Sequence, residues 1–260
     1  MAYYRVTVLR GFEFRRKDTP VHKLDPRTKG VYVACATAVT LMFATPVPPL
    51  IVLLMSVGLV AVARVLREWA STMRGVAFLS AFVFAVNYLM APEAKLNYAV
   101  SMTLRLVALT SVFSVFFLTT SPEDFALALL KLGVPYEYTL VFTMALRFVP
   151  TLARDLQMII DAQRSRGLEL ERGGLLQRVK RFLPILIPLI VYEIKRSFMI
   201  AEALEARAFG AVETRTFFYE LRMRLSDWAA CALSLAALGV VVACYLTGTL
   251  PSWLLWEVPS

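Results

Sequence analysis

The sequence predicts an all-α membrane protein, and three observations support this fold class. The 260 residues are 58% hydrophobic and only 18% charged, whereas soluble domains are about 45–50% apolar and about 25% charged. The apolar residues are gathered into runs that approach the length of about 20 residues that a bilayer-spanning helix needs. The basic residues, which give a net charge of +9, lie mainly between alternate runs.

Five apolar runs are the predicted transmembrane helices. They are about Gly30–Thr45, Pro48–Leu66, Gly75–Met90, Val100–Thr120 and Asp227–Leu246. We expect residues 46–49 to form a rigid turn between the first two, because three of the four are prolines and cannot continue a helix. Arg105 lies inside the fourth run, and its long side chain is expected to reach the near interface.

The distribution of Lys and Arg predicts the orientation. Residues 1–29 hold eight of them, the loop between the second and third runs holds three, and residues 121–224 hold fifteen. The other two loops and the C-terminal tail hold only Lys95. Positive charge accumulates on the cytoplasmic side, so the N-terminus is predicted inside and the C-terminus outside. No signal peptide is expected, because the charged N-terminal stretch is too long and no cleavage pattern follows it.

The domain organisation follows from this topology, for a multi-pass protein of the plasma membrane. The predicted divisions are a cytoplasmic basic N-terminus (1–29), four transmembrane helices (30–120), a cytoplasmic domain of amphipathic helices (121–225), a fifth transmembrane helix (226–246) and an extracellular tail (247–260).

The cytoplasmic insert contains clear helix signals. Ser121-Pro122-Glu123-Asp124 begins a helix, because Ser is a good N-cap, Pro fits the first position and acids favour the first turn. Gly133 and Pro135 end it. From Tyr138 a longer amphipathic helix is predicted. Its apolar stripe is Ala145, Val149, Leu152, Leu156 and Ile159, and it continues to Gln163 and Arg166 before Gly167.

A second helix repeats this plan. Arg181–Pro184 resembles Arg147–Pro150, and Ala203–Ala208 resembles Ala162–Gly167. The second copy is longer by seven residues, about two turns, which suggests two unequal partners or an asymmetric pose. The run Leu183–Tyr192 is continuously apolar with two prolines, and we expect kinks and burial against other helices.

Arg166 and Arg207 have two interpretations. Most arginines are solvated surface residues. These two, however, end apolar arms and are flanked by small residues, which leaves room for close approach by another protein. A planar guanidinium in that setting suits a carboxylate or a helix C-terminus on a partner. The flanking residues are Ser165, Gly167, Ala206 and Ala208.

Five motifs in order make the chain recognisable between residues 22 and 210. It resembles the transmembrane T component of energy-coupling factor transporters, the family that includes the membrane subunit of cobalt and nickel importers. The motifs are His22–Lys29, Thr119–Asp124, Ala145–Pro150, Ser165–Gly167 and Ala206–Ala208.

The resemblance implies a function and a set of partners. In this family each motif arginine docks into a groove of one of two ATP-binding-cassette ATPases. ATP-driven movement then reorients a separate small membrane subunit that binds a vitamin or transition-metal substrate. Carried over, the coupling residues are Ser165, Arg166 and Gly167, with Ala206, Arg207 and Ala208. The family often has Gly where Ala208 stands. No role is implied for His22–Lys29, and no cofactor is expected.

The sequence also weighs against other classes. It lacks the Gly-x-x-x-x-Gly-Lys-[Ser/Thr] loop, so we expect that the chain is not the ATPase itself and, with no catalytic residues indicated, that it is not an enzyme. An intramembrane hydrolase is disfavoured by the single His and the lack of Gly-x-Ser-x-Gly. A stand-alone carrier would have more mid-membrane polar groups than Asn87 and Arg105. A membrane scaffold without transport coupling is a further alternative. In the sequence, only the two arginine motifs distinguish a transporter subunit from such a scaffold. Nucleic acid is not expected, because the aromatic residues near the basic ones form no base-stacking pattern.

Overall fold

The helical architecture matches the predicted class. The structure is a computed structural model that describes residues 19–90, 95–168, 175–211, 221 and 223–247. Within those ranges all regular secondary structure is α-helical, which confirms the all-α prediction. The described residues fall into two compact units, one of residues 19–134 with 221–247 and one of residues 135–211.

The helices of the described residues are numbered in chain order. They are α1 Pro20–Lys23, α2 Pro26–Met42, α3 Val47–Val62, α4 Leu66–Met90, α5 Lys95–Thr119, α6 Pro122–Lys131, α7 Tyr136–Ser165, α8 Leu175–Glu205 and α9 Leu225–Thr247. The predicted start of α6 is confirmed, because the Ser121 hydroxyl accepts a hydrogen bond from the Asp124 amide at 3.0 Å. Helix α6 belongs to the same unit as the apolar helices, although the sequence placed it in the cytoplasmic domain.

Helices α7 and α8, the two arms, form the unit of residues 135–211 and pack against each other in antiparallel fashion. The Gln163 side chain donates a hydrogen bond to the Pro184 carbonyl at 3.0 Å. Asp155 forms an ion pair with Arg196 at 2.6 Å. From the first contact to the second, the residue number falls in α7 and rises in α8. The arms therefore run in opposite directions, and α8 is one helix across both of its internal prolines.

The expected burial of Leu183–Tyr192 is wrong for most of its side chains. Ile185 is buried, with 1% of its surface exposed. The physical reason is that a single neighbouring arm covers only one stripe of α8 and leaves its other faces open. The large side chains of this run that are exposed, at between 44% and 58%, are Leu183, Leu186, Ile187, Ile190, Val191 and Tyr192.

Helices α2, α3, α4, α5 and α9 occupy the five predicted membrane runs. By length and composition, α4, α9 and residues Leu96–Thr119 of α5 can each cross a membrane, and α3 is a shorter apolar helix. Helices α2 and α3 have 17 and 16 residues, so each is about 25 Å long, slightly less than the hydrocarbon core. The multi-pass membrane class follows from these helices, whereas the count of five spans stays a prediction for α2 and α3.

The proline turn after α2 lies elsewhere than predicted. Helix α2 ends at Met42, and α3 begins at Val47 with Pro48 and Pro49 in its first turn. Proline fits there because the first amides of a helix have no intrahelical acceptor. Residues 43–46 make the connection instead.

A few polar contacts join the membrane helices. The hydroxyls of Ser56 in α3 and Ser111 in α5 lie 2.6 Å apart, and the Trp69 indole of α4 donates to Ser111 at 3.0 Å. Such contacts matter in lipid, because apolar side chains gain little by leaving one apolar environment for another. Arg105 of α5 donates to the carbonyl of Phe43, the C-cap of α2. It therefore satisfies a helix end within the chain, where the sequence suggested only a side chain reaching the interface.

Three helix ends meet in a polar junction, defined by Asp25, Lys29, Thr119, Arg224 and Asp227. Asp227 is only 1% exposed, and its carboxylate accepts the Asp25 amide at 3.0 Å and the Arg224 amide at 2.7 Å. The Lys29 ammonium donates to the Thr119 carbonyl at 2.7 Å. The starts of α2 and α9 and the end of α5 thus share one side. The predicted topology also has these three helix ends on one side of the membrane. The contacts do not show whether that side is the cytoplasmic one.

We predict that Asp227→Ala lowers the free energy of unfolding by about 2–4 kcal/mol, because it removes the acceptor of two backbone amides at a buried helix start. Asp227→Asn keeps one oxygen acceptor and is expected to cost less. Denaturant titration of the detergent-solubilised protein measures both. Ser226→Ala, at an exposed neighbouring position, is the control, and an equal loss in the control would contradict the account.

Candidate functional site

The predicted site residues lie at the ends of the two arms, in segments that we name the arm caps, residues 163–168 and 204–209. In the first cap the Gly167 amide donates to the Arg164 carbonyl at 2.9 Å, and the Leu168 amide donates to the Gln163 carbonyl at 3.0 Å. Gly167 has a φ of 88°. These two bonds around a left-handed residue are the Schellman motif, which satisfies the last carbonyls of a helix.

The second arm cap has the same hydrogen bonds at the same offsets. The Ala208 amide donates to the Glu205 carbonyl at 2.8 Å, and the Phe209 amide donates to the Leu204 carbonyl at 3.0 Å. Ala208 has a φ of 57°. Arg166 and Arg207 therefore hold the same position, directly before the left-handed residue. The two short motifs that repeat in the sequence therefore also share one backbone conformation.

Comparison of Ala208 with Gly167 shows what a glycine contributes at the left-handed position of the cap. A left-handed conformation costs a residue with a Cβ atom about 1–2 kcal/mol, whereas glycine adopts it freely. The departure from glycine at Ala208 thus leaves the cap geometry intact and adds strain to it. Among the described residues, Arg64 is the one other non-glycine residue with a positive φ.

The two arginine side chains are presented outward. Arg166 and Arg207 are both exposed, and neither guanidinium has a hydrogen bond or ion pair within the part of the chain that the structure describes. The flanking small residues are exposed as well, and the Ser165 hydroxyl is turned back to the Asp161 carbonyl at 3.0 Å. In both caps the Schellman hydrogen bonds are made by backbone amides, so neither guanidinium is used for capping.

The arms also share a contact that sequence reasoning missed. Asp155, 5% exposed, lies 2.6 Å from Arg196 across the helix pair. On its own helix Arg196 contacts Glu193 at 3.1 Å and stacks over the Tyr192 ring at 4.9 Å. The hydrogen bond to Asp155, chiefly, raises the pKa of the Arg196 guanidinium above its ordinary value. A charged residue within a basic insert resembles any solvated side chain, so no sequence signal pointed to the pair.

The structure does not bring the two predicted motifs together into one pocket. Because the arms are antiparallel, the caps lie at opposite ends of the pair. In the described ranges, no group of three His, Cys, Asp or Glu side chains is placed to hold a metal ion. The arrangement is therefore two separate caps, each with an exposed arginine, joined by a helical pair.

Comparison with known proteins identifies the family. The family model described as cobalt transport protein, CbiQ, matches residues 17–217, a region that contains both arm caps. The chain belongs to this family. The resemblance that the five motifs predicted is thereby confirmed.

Relatives in several bacteria are similar over most of their length. The protein from Thermanaerovibrio acidaminovorans is 32% identical over 244 residues, which cover 83% of this chain and 88% of the relative. The one from Clostridium kluyveri is 32% identical over 251 residues, with coverage of 86% and 93%. A relative in Bacillus selenitireducens is 29% identical over 249 residues, with coverage of 87% and 93%. Each bears the name energy-coupling factor transporter transmembrane protein EcfT.

The cap geometry predicts that glycine and alanine substitutions change stability in opposite directions. Ala208→Gly is expected to raise the free energy of unfolding by about 1 kcal/mol, because it relieves the left-handed strain. Gly167→Ala is expected to lower it by a similar amount. Ala206→Gly is the matched control, since Ala206 precedes the turn with a helical hydrogen bond to Glu202, and glycine there destabilises by about 0.5–1 kcal/mol.

Denaturant titration and amide hydrogen exchange of the two caps measure these effects. Stabilisation by Ala206→Gly together with destabilisation by Ala208→Gly would contradict the assigned cap positions.

Proposed function

We propose that the chain is the coupling subunit of an energy-coupling factor importer, and the observation that carries the proposal is the pair of identical arm caps. Each cap presents an arginine at a helix end between small residues. A guanidinium with five donors in a planar fork is suited to bidentate binding of carboxylates. Two such ends on one chain fit two protein partners, one for each cap.

ATP-binding-cassette ATPases are the proposed partners. The chain has no phosphate-binding loop of its own, so the energy for transport comes from other subunits. The relatives' printed name, energy-coupling factor transporter transmembrane protein, is consistent with such an assembly. The coupling residues that we propose are Ser165, Arg166, Gly167, Ala206, Arg207 and Ala208.

The arms account for how movement is passed on. Each ATPase holds one end of an antiparallel pair, so closing the ATPases displaces the two ends relative to each other and turns one arm across the other. The exposed apolar face of α8, which includes Leu186, Ile187 and Ile190, is available to a small substrate-binding membrane subunit. The transported substrate is a vitamin or transition-metal ion chosen by that subunit. This mechanism places the arms on the cytoplasmic side, with the N-terminus inside and the C-terminus outside.

We predict that Arg166→Glu and Arg207→Glu each release or uncouple an ATPase, and that the double variant loses the ATPases and transport. The reason is that each new carboxylate faces an acidic groove, where like-charge contacts are strongly unfavourable. Membranes that co-express the ATPases are assayed for ATPase retention and for substrate uptake.

Arg154→Glu is the matched control, because Arg154 is an exposed arginine on the same helix α7 and lies outside the arm cap. It is expected to keep both partners. A double variant that inserts normally and retains ATPases and uptake would reject the proposal, and a membrane scaffold would then fit the chain better.

A further inference from the structure

The ion pair between Asp155 and Arg196 lies at a special point of the arm pair. Its 2.6 Å contact joins the two helices across their packed faces. Arg166 lies eleven positions after Asp155, and Arg207 lies eleven positions after Arg196. Eleven residues of α-helix are about three turns and about 16 Å. The pair is therefore equidistant from the two cap arginines, one on each arm.

The equal spacing from the ion pair to each cap arginine changes how the unequal lengths of the two sequence repeats are interpreted. The second sequence repeat is seven residues longer than the first, which suggested two unequal partners or an asymmetric pose. Measured from the Asp155–Arg196 contact, however, the segments that lead to the caps are equal. The extra residues of α8 lie on the other side of Arg196, between Arg181 and the contact. The part of the unit that meets the partners is thus symmetric in length.

We propose that the Asp155–Arg196 ion pair is the pivot of the two arms, where it holds the cap arginines at equal reach and passes displacement from one arm to the other. Both are positioning residues. The inference rests on the proposed coupling function, because a pivot has a role only where partners load both ends.

The surroundings of the Asp155–Arg196 ion pair indicate that it fixes the position of one arm against the other and adds little to the stability of the fold. A buried ion pair contributes little net stability, because desolvation offsets its attraction, but it selects one register between helices. Apolar surfaces can slide past each other, whereas a carboxylate and a guanidinium are satisfied in one arrangement. Glu193 and Tyr192 hold the Arg196 side chain from its own helix, so little further side-chain entropy is lost on contact with Asp155.

The test is Asp155→Asn in the complete complex with its ATPases and substrate-binding subunit. The pivot predicts that the complex assembles and hydrolyses ATP, while uptake per ATP falls severalfold, because displacement of one arm is no longer passed to the other through a fixed contact. Spin labels on Met158→Cys and Met199→Cys, both at exposed positions, in a background lacking the three native cysteines, should show a broadened distance distribution between the arms.

Asp161→Asn is the matched control, because Asp161 is an exposed acid on the same arm whose side chain contacts Gln157 within α7. It should leave uptake per ATP unchanged. If Asp155→Asn does not accumulate in membranes, Arg196→Lys replaces it. A lysine keeps the charge but cannot contact Asp155, Glu193 and Tyr192 together, so the same uncoupling is expected.

The outcomes separate this inference from the proposed function. Unchanged uptake per ATP and an unchanged distance distribution, while the cap variants Arg166→Glu and Arg207→Glu lose their ATPases, would overturn the pivot alone. An equal loss of complex, hydrolysis and uptake would also overturn it, since that pattern marks a purely structural contact. Retention of ATPases by the cap double variant would overturn the proposed function itself.

Discussion

Every α-helix ends in backbone groups that its own hydrogen bonds leave unsatisfied, and in this protein the treatment of those ends decides the rest of the structure. The membrane helices use charged side chains from elsewhere in the chain. Asp227 accepts the amides where α2 and α9 begin, Lys29 donates where α5 ends, and Arg105 donates where α2 ends. Since several of these ends are buried within the protein and lipid provides no hydrophobic force between helices, these contacts help to set which ends meet.

The unsatisfied carbonyls at the ends of the two arms are capped in a different way, and the proposed function depends on this difference. Their terminal carbonyls are satisfied by backbone amides around Gly167 and Ala208. The Arg166 and Arg207 side chains are not used as caps, and both are exposed. A single exposed arginine is not evidence of a binding site, because most arginines are exposed. Two at identical positions, on equal lengths of helix from one ion pair, are the observation on which the proposed docking rests.

Local signals predicted much of this architecture, and non-local contacts account for what they missed. Serine before proline and acids marked the start of α6, because capping depends on neighbours in sequence. The left-handed conformation of Ala208 was not predicted, because alanine by itself disfavours it and the family resemblance indicated only that glycine is common at this position. The Asp25–Asp227 contact joins residues 202 positions apart, and no periodicity reveals such a pair. Burial of Leu183–Tyr192 was wrong because an apolar run cannot tell a core from a surface left for another protein.

The central claim is that the two arm caps contact ATPases, and site-specific photo-cross-linking tests it most directly. A photoreactive amino acid would replace Ser165 or Ala206 in the assembled transporter, and the adducts would be identified by mass spectrometry. Leu233 of α9, 73% exposed on a membrane helix, serves as the control position. We expect ATPase peptides from both cap positions and none from the control. Adducts without ATPase peptides at both caps would contradict the account.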